Sequence, residues 1–246
     1  GQIPIGEIRL GIYGNEDPMY ILAGLPFIAP DYSSAWLLKD VQMEYLQEKF
    51  AKKGLMILYT APWPGQGFYT KFPVNSVSDF KGKKLRIYST ATQQMGSMLG
   101  FNATILPFAE IPQAFSTGLI EALFTSPQTG IDIQAWDNTK HFTYAGAIFS
   151  KNAVVVTKKA FNALSKGDQS NMLAAAKKAE LRGWEMSAET TKKQIGILKK
   201  NGMSSKNAPD EVISKMKSIG LEMMKNWRSK ASPEANAVLD RYLSMR

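Results

Sequence analysis

The sequence predicts an α/β protein, and two observations carry that reading. Between residues 55 and 157, short apolar runs alternate with helical patterns, punctuated by glycine and proline. Residues 168–200 then hold one very long helical pattern. Strands and helices alternating at this spacing argue for α/β units with mainly parallel sheets.

Residues 1–7 have neither a basic start nor an apolar stretch of the signal-peptide kind, and read as a strand or turn already in progress. Residues 33–53 are helical. Ser33 or Ser34 can cap, Trp36, Leu37, Val41, Tyr45, Leu46 and Phe50 recur at steps of three and four, and Gly54 ends the run. Residues 55–60 are an apolar strand, broken by Pro62-Trp63-Pro64-Gly65. Residues 67–71 form another strand, 76–81 a single helical turn, and 84–88 an alternating strand. A helix over 90–99 stops at Gly100, and a strand over 103–106 exits at Pro107. The rhythm continues with a helix at 109–117, a strand at 120–124, a mostly helical stretch at 127–138, and strands at 142–149 and 153–157. In the long helix Leu181, Trp184, Ala188, Thr191, Ile195 and Leu198 share one face, and Gly202 closes it. Two more helices follow, at 209–227 and 233–243.

Composition narrows the function classes. With 246 residues, 44% hydrophobic and 21% charged, the chain is an ordinary globular protein of one or two domains. Without cysteine it has no thiol nucleophile, no Cys-ligated zinc and no disulfide. The single histidine, His141, excludes multi-His metal motifs and reads as a structural or surface residue. The net charge of +9 suggests nucleic acid, but its distribution does not: residues 1–150 carry 11 basic and 12 acidic groups, residues 151–246 carry 19 and 9. The excess lies in lysine pairs on the solvated faces of the C-terminal helices, with no nucleic-acid motif beside it.

Catalytic signatures are scarce. Walker A, G-x-S-x-G, H-E-x-x-H and G-x-G-x-x-G are all missing, and Gly65-Gln66-Gly67 reads as a turn or hinge. Asp132 and Asp137 give only a weak cation signal. Arg86 stands out. It sits in a short strand between Leu85 and Ile87, so it shares a face with Lys84. In a sheet covered on both faces it would be partly buried and need an anion. Three fates remain open from the residues alone: a ligand carboxylate held in a bidentate pair, an internal Asp or Glu, or plain exposure.

Asp79-Phe80-Lys81-Gly82-Lys83-Lys84-Leu85-Arg86 resembles the D-x-K-G-x-K-(I/L)-R run of the DctP-type substrate-binding proteins of TRAP (tripartite ATP-independent periplasmic) transporters. The stretch from Pro107 through Glu110, Ala114 and Thr117-Gly118 to Glu121-Ala122 is similar to the family's P-x-x-E-(V/I)-x-x-A-L-x-T-G-x-(V/I)-(D/E)-(G/A). Leu25-Pro26-Phe27-Ile28 is similar to its L-P-(F/Y)-(L/I/V) motif. Gln2-Ile3-Pro4-Ile5 resembles a segment that lies well inside the family's mature chains. On that resemblance roughly 60–70 residues, enough for two strands and a helix, are expected to precede Gly1, and the first strand is expected to run parallel to its neighbours.

The resemblance implies a two-lobed periplasmic-binding-protein-like fold with the long helix spanning both lobes. Residues 1–63 and 151–190 are expected in one lobe and 64–150 and 191–246 in the other, with crossings near 61–65 and 150–152. It implies a periplasmic protein that captures an organic acid and hands it to TRAP membrane permease subunits, as a monomer, with no cofactor, metal, nucleic acid or catalysis. The alternative is an enzyme acting on a small carboxylate. Arg86 occupies the position of the family's main ligand contact. Gln66 replaces a second arginine, and Thr125, followed by Ser126, replaces an asparagine, so one charged anchor and neutral partners are expected. Trp63, Phe68 and Tyr88 are expected as aromatic walls, and Gln128 completes the candidate set. One fork neutralises one carboxylate, so a monocarboxylate is expected, including an aromatic or 2-oxo or 2-hydroxy acid, in preference to a C4-dicarboxylate.

Overall fold

In the computed structural model, which describes residues 3–246, the chain runs β1 (Ile5–Arg9), 3-10 turns at Leu10–Tyr13 and Pro18–Gly24, α1 (Tyr32–Lys52), β2 (Leu55–Pro62), β3 (Gly67–Thr70), a 3-10 turn at Val77–Phe80, β4 (Lys84–Ile87), α2 (Thr90–Met98) and β5 (Asn102–Ile105). It continues through a 3-10 turn at Phe108–Glu110, α3 (Ile111–Ser116), β6 (Ala122–Thr125), α4 (Pro127–Asp132), a 3-10 turn at Ala135–Asp137, β7 (His141–Tyr144) and β8 (Lys151–Thr157). α5 (Lys158–Asn162), α6 (Lys166–Lys200), β9 (Ser204–Asn207), α7 (Asp210–Lys230) and α8 (Pro233–Met245) complete it. Gly1 and Gln2, which open the Gln2-Ile3-Pro4-Ile5 motif and the first expected lobe segment, lie outside the described residues.

Two sheets organise these elements. The first has the order β1-β8-β2, and the second β5-β4-β6-β3-β7-β9. Ile57 and Val155 are paired in the first sheet, whereas Ile87 lies in the second. β8 is the apolar centre of the first sheet. α1 packs on β2 beside a bulge between Ile57 and Tyr59, where the Gln47 amide accepts from Ile57 N (3.1 Å) and donates to Ile57 O (2.7 Å), satisfying groups the bulge frees. In the second sheet β3 is central and buried along its whole length. Phe68 stacks among Phe80, Phe101 and Phe124, while Tyr69 packs against Phe142.

The sheets are not mainly parallel. Both pairings of the first sheet are antiparallel, and in the second β3 runs antiparallel to β6 and β7, while β5-β4-β6 and β7-β9 are parallel. β1 correspondingly pairs antiparallel with β8, not parallel. The cause is the connections. β2 to β3 and β7 to β8 have no helix between them, and each passes from one sheet to the other. The expected strand at 142–149 stops at Tyr144 because the following residues make that passage. The α1 cap also differs. Asp31, not Ser33 or Ser34, accepts from Ser34 N at 2.7 Å, and Gly54 leaves the helix at φ +71°.

α6 joins the two sheets. Near its first half Glu180 accepts from Thr60 N (2.9 Å) and Thr60 Oγ1 (2.7 Å) of β2 and pairs with Lys39 of α1 (3.3 Å). Further along, Gln194 Nε2 donates to Gln128 Oε1 of α4 at 2.9 Å, and the helix packs near β9. α7 packs against α2. α8 packs on α1, with Tyr242 Oη donating to Ile28 O at 2.7 Å.

Candidate functional site

The two sheets meet end to end around one cavity. From the first sheet come the C-terminal ends of β1 and β2 and the start of β8, since Arg9 pairs with Asn152 and Pro62 with Lys151. From the second come the C-terminal ends of β4 and β6 and the start of β3, since Gly67 pairs with Thr125. C-terminal strand ends are where open α/β sheets bind ligands. The cavity measures about 340 Å³. Of the expected residues, Arg86, Gln66, Thr125, Ser126, Tyr88 and Trp63 line it, joined by Arg9, Thr129, Asp132, Ser150 and Asn152, with Ile12 and Phe108 at its apolar edge.

Arg86 is 2% exposed. Its Nε donates to Leu106 O at 3.0 Å, its Nη2 has no partner, and no acidic group pairs with it among the described residues. Of the three fates open from sequence, the internal acid and plain exposure are therefore removed. Burial first, and the Arg9 charge second, pull the Arg86 pKa down to about 10, so it remains a cation at neutral pH.

A second arginine, Arg9, lines the same cavity. Its guanidinium lies 5.2 Å from the centre of the Tyr88 ring, its Nε is buried without a partner, and burial lowers its pKa. Two under-satisfied cations thus share one cavity. The sequence signal was a lone arginine closing a short strand, but nothing local says that β1 ends beside β4.

Neutral groups bridge the two sheets. Tyr88 Oη donates to Gln66 Oε1 at 2.6 Å, and Gln66 Nε2 donates to Ser150 Oγ at 3.0 Å. Burial raises the Tyr88 phenol to about 12, so it stays a donor. Trp63 N donates to Ser150 O at 2.7 Å and Trp63 Nε1 to Asn152 Oδ1 at 3.1 Å, which fixes the indole as a wall. Gln66 is held between flanking glycines. A Cβ on Gly67 would collide with Thr143 O of β7, so the close strand approach requires glycine there. Ser126 caps α4, its Oγ accepting from Thr129 N at 3.2 Å.

Two expected residues lie elsewhere. Phe68 is fully buried in the aromatic core, because it sits inside β3 and not at its end. Gln128 faces a neighbouring cavity with Trp63, Met186 and Gln194, and donates to Asp132 Oδ1 at 2.7 Å.

The model of the DctP family, bacterial extracellular solute-binding protein family 7, matches residues 1–230. A solute-binding protein of Chromohalobacter salexigens is 24% identical over 204 residues, 79% of this chain and 60% of its own length. The chain spans about 60–66% of the length of the curated relatives it matches. Among solved structures, DctP7 of Bordetella pertussis, an extracytoplasmic solute receptor binding pyroglutamic acid, is 37% identical with a TM-score of 0.95, covering 98% of this chain and 80% of that one. A marine metagenome TRAP solute-binding protein specific for pyroglutamate is 33% identical with a TM-score of 0.94, covering 99% and 80%. The two-lobed α/β fold expected from the sequence is therefore that of this chain.

Proposed function

Because the chain belongs to the DctP family of TRAP transporter solute-binding proteins, we propose that it captures a small monocarboxylate of the pyroglutamate type and delivers it to membrane permease subunits. The observation that carries this reading is the buried, acid-free guanidinium of Arg86 in the cavity. A desolvated cation without an internal partner costs several kcal/mol unless an anion reaches it, and a carboxylate can take its free Nη2. Arg9 adds a second donor beside it. The reading is also supported by two relatives at 37% and 33% identity that bind pyroglutamate, a monocarboxylate on a small non-aromatic ring.

In this proposal the two sheets are the bases of two lobes, residues 1–63 and 151–190 against 64–150 and the chain after 190. The packing of α8 on α1 supports moving 233–245 with the first lobe. Ile12 and Phe108, about half exposed on opposite sides of the cavity, would be buried as the lobes close. The activity is capture outside the cytoplasm, without turnover. No helix among the described residues is long and apolar enough to cross a membrane.

Thermal-shift screening against matched mono- and dicarboxylates tests the ligand class. The expected result is greatest stabilisation by pyroglutamate or a similar ring monocarboxylate. Greater stabilisation by succinate or malate would overturn the monocarboxylate assignment.

A further inference from the structure

We propose that Asp132 is the specificity-determining residue of the cleft, recognising a hydrogen-bond donor on the ligand, so that the preferred ligand is a small carboxylate that also carries an N–H or O–H donor. This inference rests on the carboxylate reading above.

Ser126, Thr129 and Asp132 all line the cavity. They are spaced three apart, so that Thr129 neighbours both the capping Ser126 and Asp132 along the helix surface. At 1.5 Å per residue, Asp132 lies ~9 Å along the axis from Ser126. Ser126 follows directly on β6, the neighbour of the Arg86 strand. Among the residues that line the cavity, Arg86 and Arg9 are the cations and Asp132 is the acid.

Asp132 is also held in place. Gln128 donates to its Oδ1 at 2.7 Å and is itself fixed by Gln194 of α6 at 2.9 Å. No ion pair among the described residues neutralises it. Asp132 is exposed, and an ionised carboxylate only accepts hydrogen bonds, so a ligand group that bonds it must donate. A second ligand carboxylate would meet like charge, whereas a lactam N–H, an ammonium or a hydroxyl would gain a charge-assisted bond.

Titration calorimetry with a matched pair decides the matter: pyroglutamate and its lactone analogue, 5-oxotetrahydrofuran-2-carboxylate, in which a ring oxygen replaces the N–H. The wild-type protein is expected to prefer the lactam by about tenfold or more, the scale of a hydrogen bond to a charged group. Asp132→Ala should bring that preference below about threefold, chiefly by weakening lactam binding, and Asp132→Asn, a neutral acceptor, should fall between. An unchanged ratio in Asp132→Ala, or an equal loss of both acids, would overturn the proposal while leaving the carboxylate reading standing. Failure of the wild-type protein to bind either acid would overturn both.

Discussion

Arg86 sets the chemistry of the cleft because the fold buries it and supplies only one backbone carbonyl in return. That much was legible locally, since a charged residue in a short apolar strand must find an anion or stay wet. Arg9 was not legible, because its place beside Arg86 comes from β1 pairing with β8, a partner about 145 residues away. Phe68 was misplaced for the opposite reason: proximity in sequence to Gln66 does not set depth within a central strand. Lys151 shows the same long-range effect. It is buried, donates to Gln42 Oε1 at 2.8 Å, and burial together with the Lys39 charge lowers its pKa from 10.5 to about 7. The unfolded chain therefore holds this proton more tightly than the folded one, and stability should rise as pH climbs from about 7 towards 10.5. Lys151→Met should remove that rise and stabilise the protein by a few kcal/mol below about pH 7. Denaturant unfolding at about pH 6 and about pH 9 checks this, because the gap between variant and wild type should shrink at the higher pH. A gap independent of pH would contradict it.

At the scale of elements, most helices were legible from apolar periodicity and their glycine stops. β9 was not, because Ser204-Ser205-Lys206-Asn207 has no apolar alternation and joins the second sheet only through its backbone at the edge. Strand direction was not legible either, since strands linked across two sheets look like α/β units until the pairings are known. The same crossings give α6 its role as a brace, and Glu180 is its principal tie to β2. Glu180→Ala should leave Thr60 N–H without its acceptor and Lys39 with Asp40 as its remaining carboxylate, and cost on the order of 1–3 kcal/mol. Urea unfolding measures this directly. A loss under about 0.5 kcal/mol would show that α6 is held by apolar packing alone.

For the whole molecule, the order of the strands matters more than their number. Two sheets that share two direct crossings and one long helix face each other by their strand ends, and the cleft gathers residues from positions 9, 63–66, 86–88, 125–132 and 150–152. Among the residues that line the cavity, motif resemblance had named Gln66, Arg86, Thr125 and Ser126, and nearness in sequence Trp63 and Tyr88, whereas Arg9, Ser150 and Asn152 needed the fold. The central claim is that a buried guanidinium awaiting a carboxylate defines the function, and titration calorimetry of wild-type protein and Arg86→Ala with pyroglutamate tests it most directly. One ligand per chain is expected for wild type, with a loss on the order of 2–5 kcal/mol in the variant, because the bound carboxylate loses its desolvated partner. An affinity unchanged within about twofold, less than a single weak hydrogen bond, would remove Arg86 from the site and contradict the account.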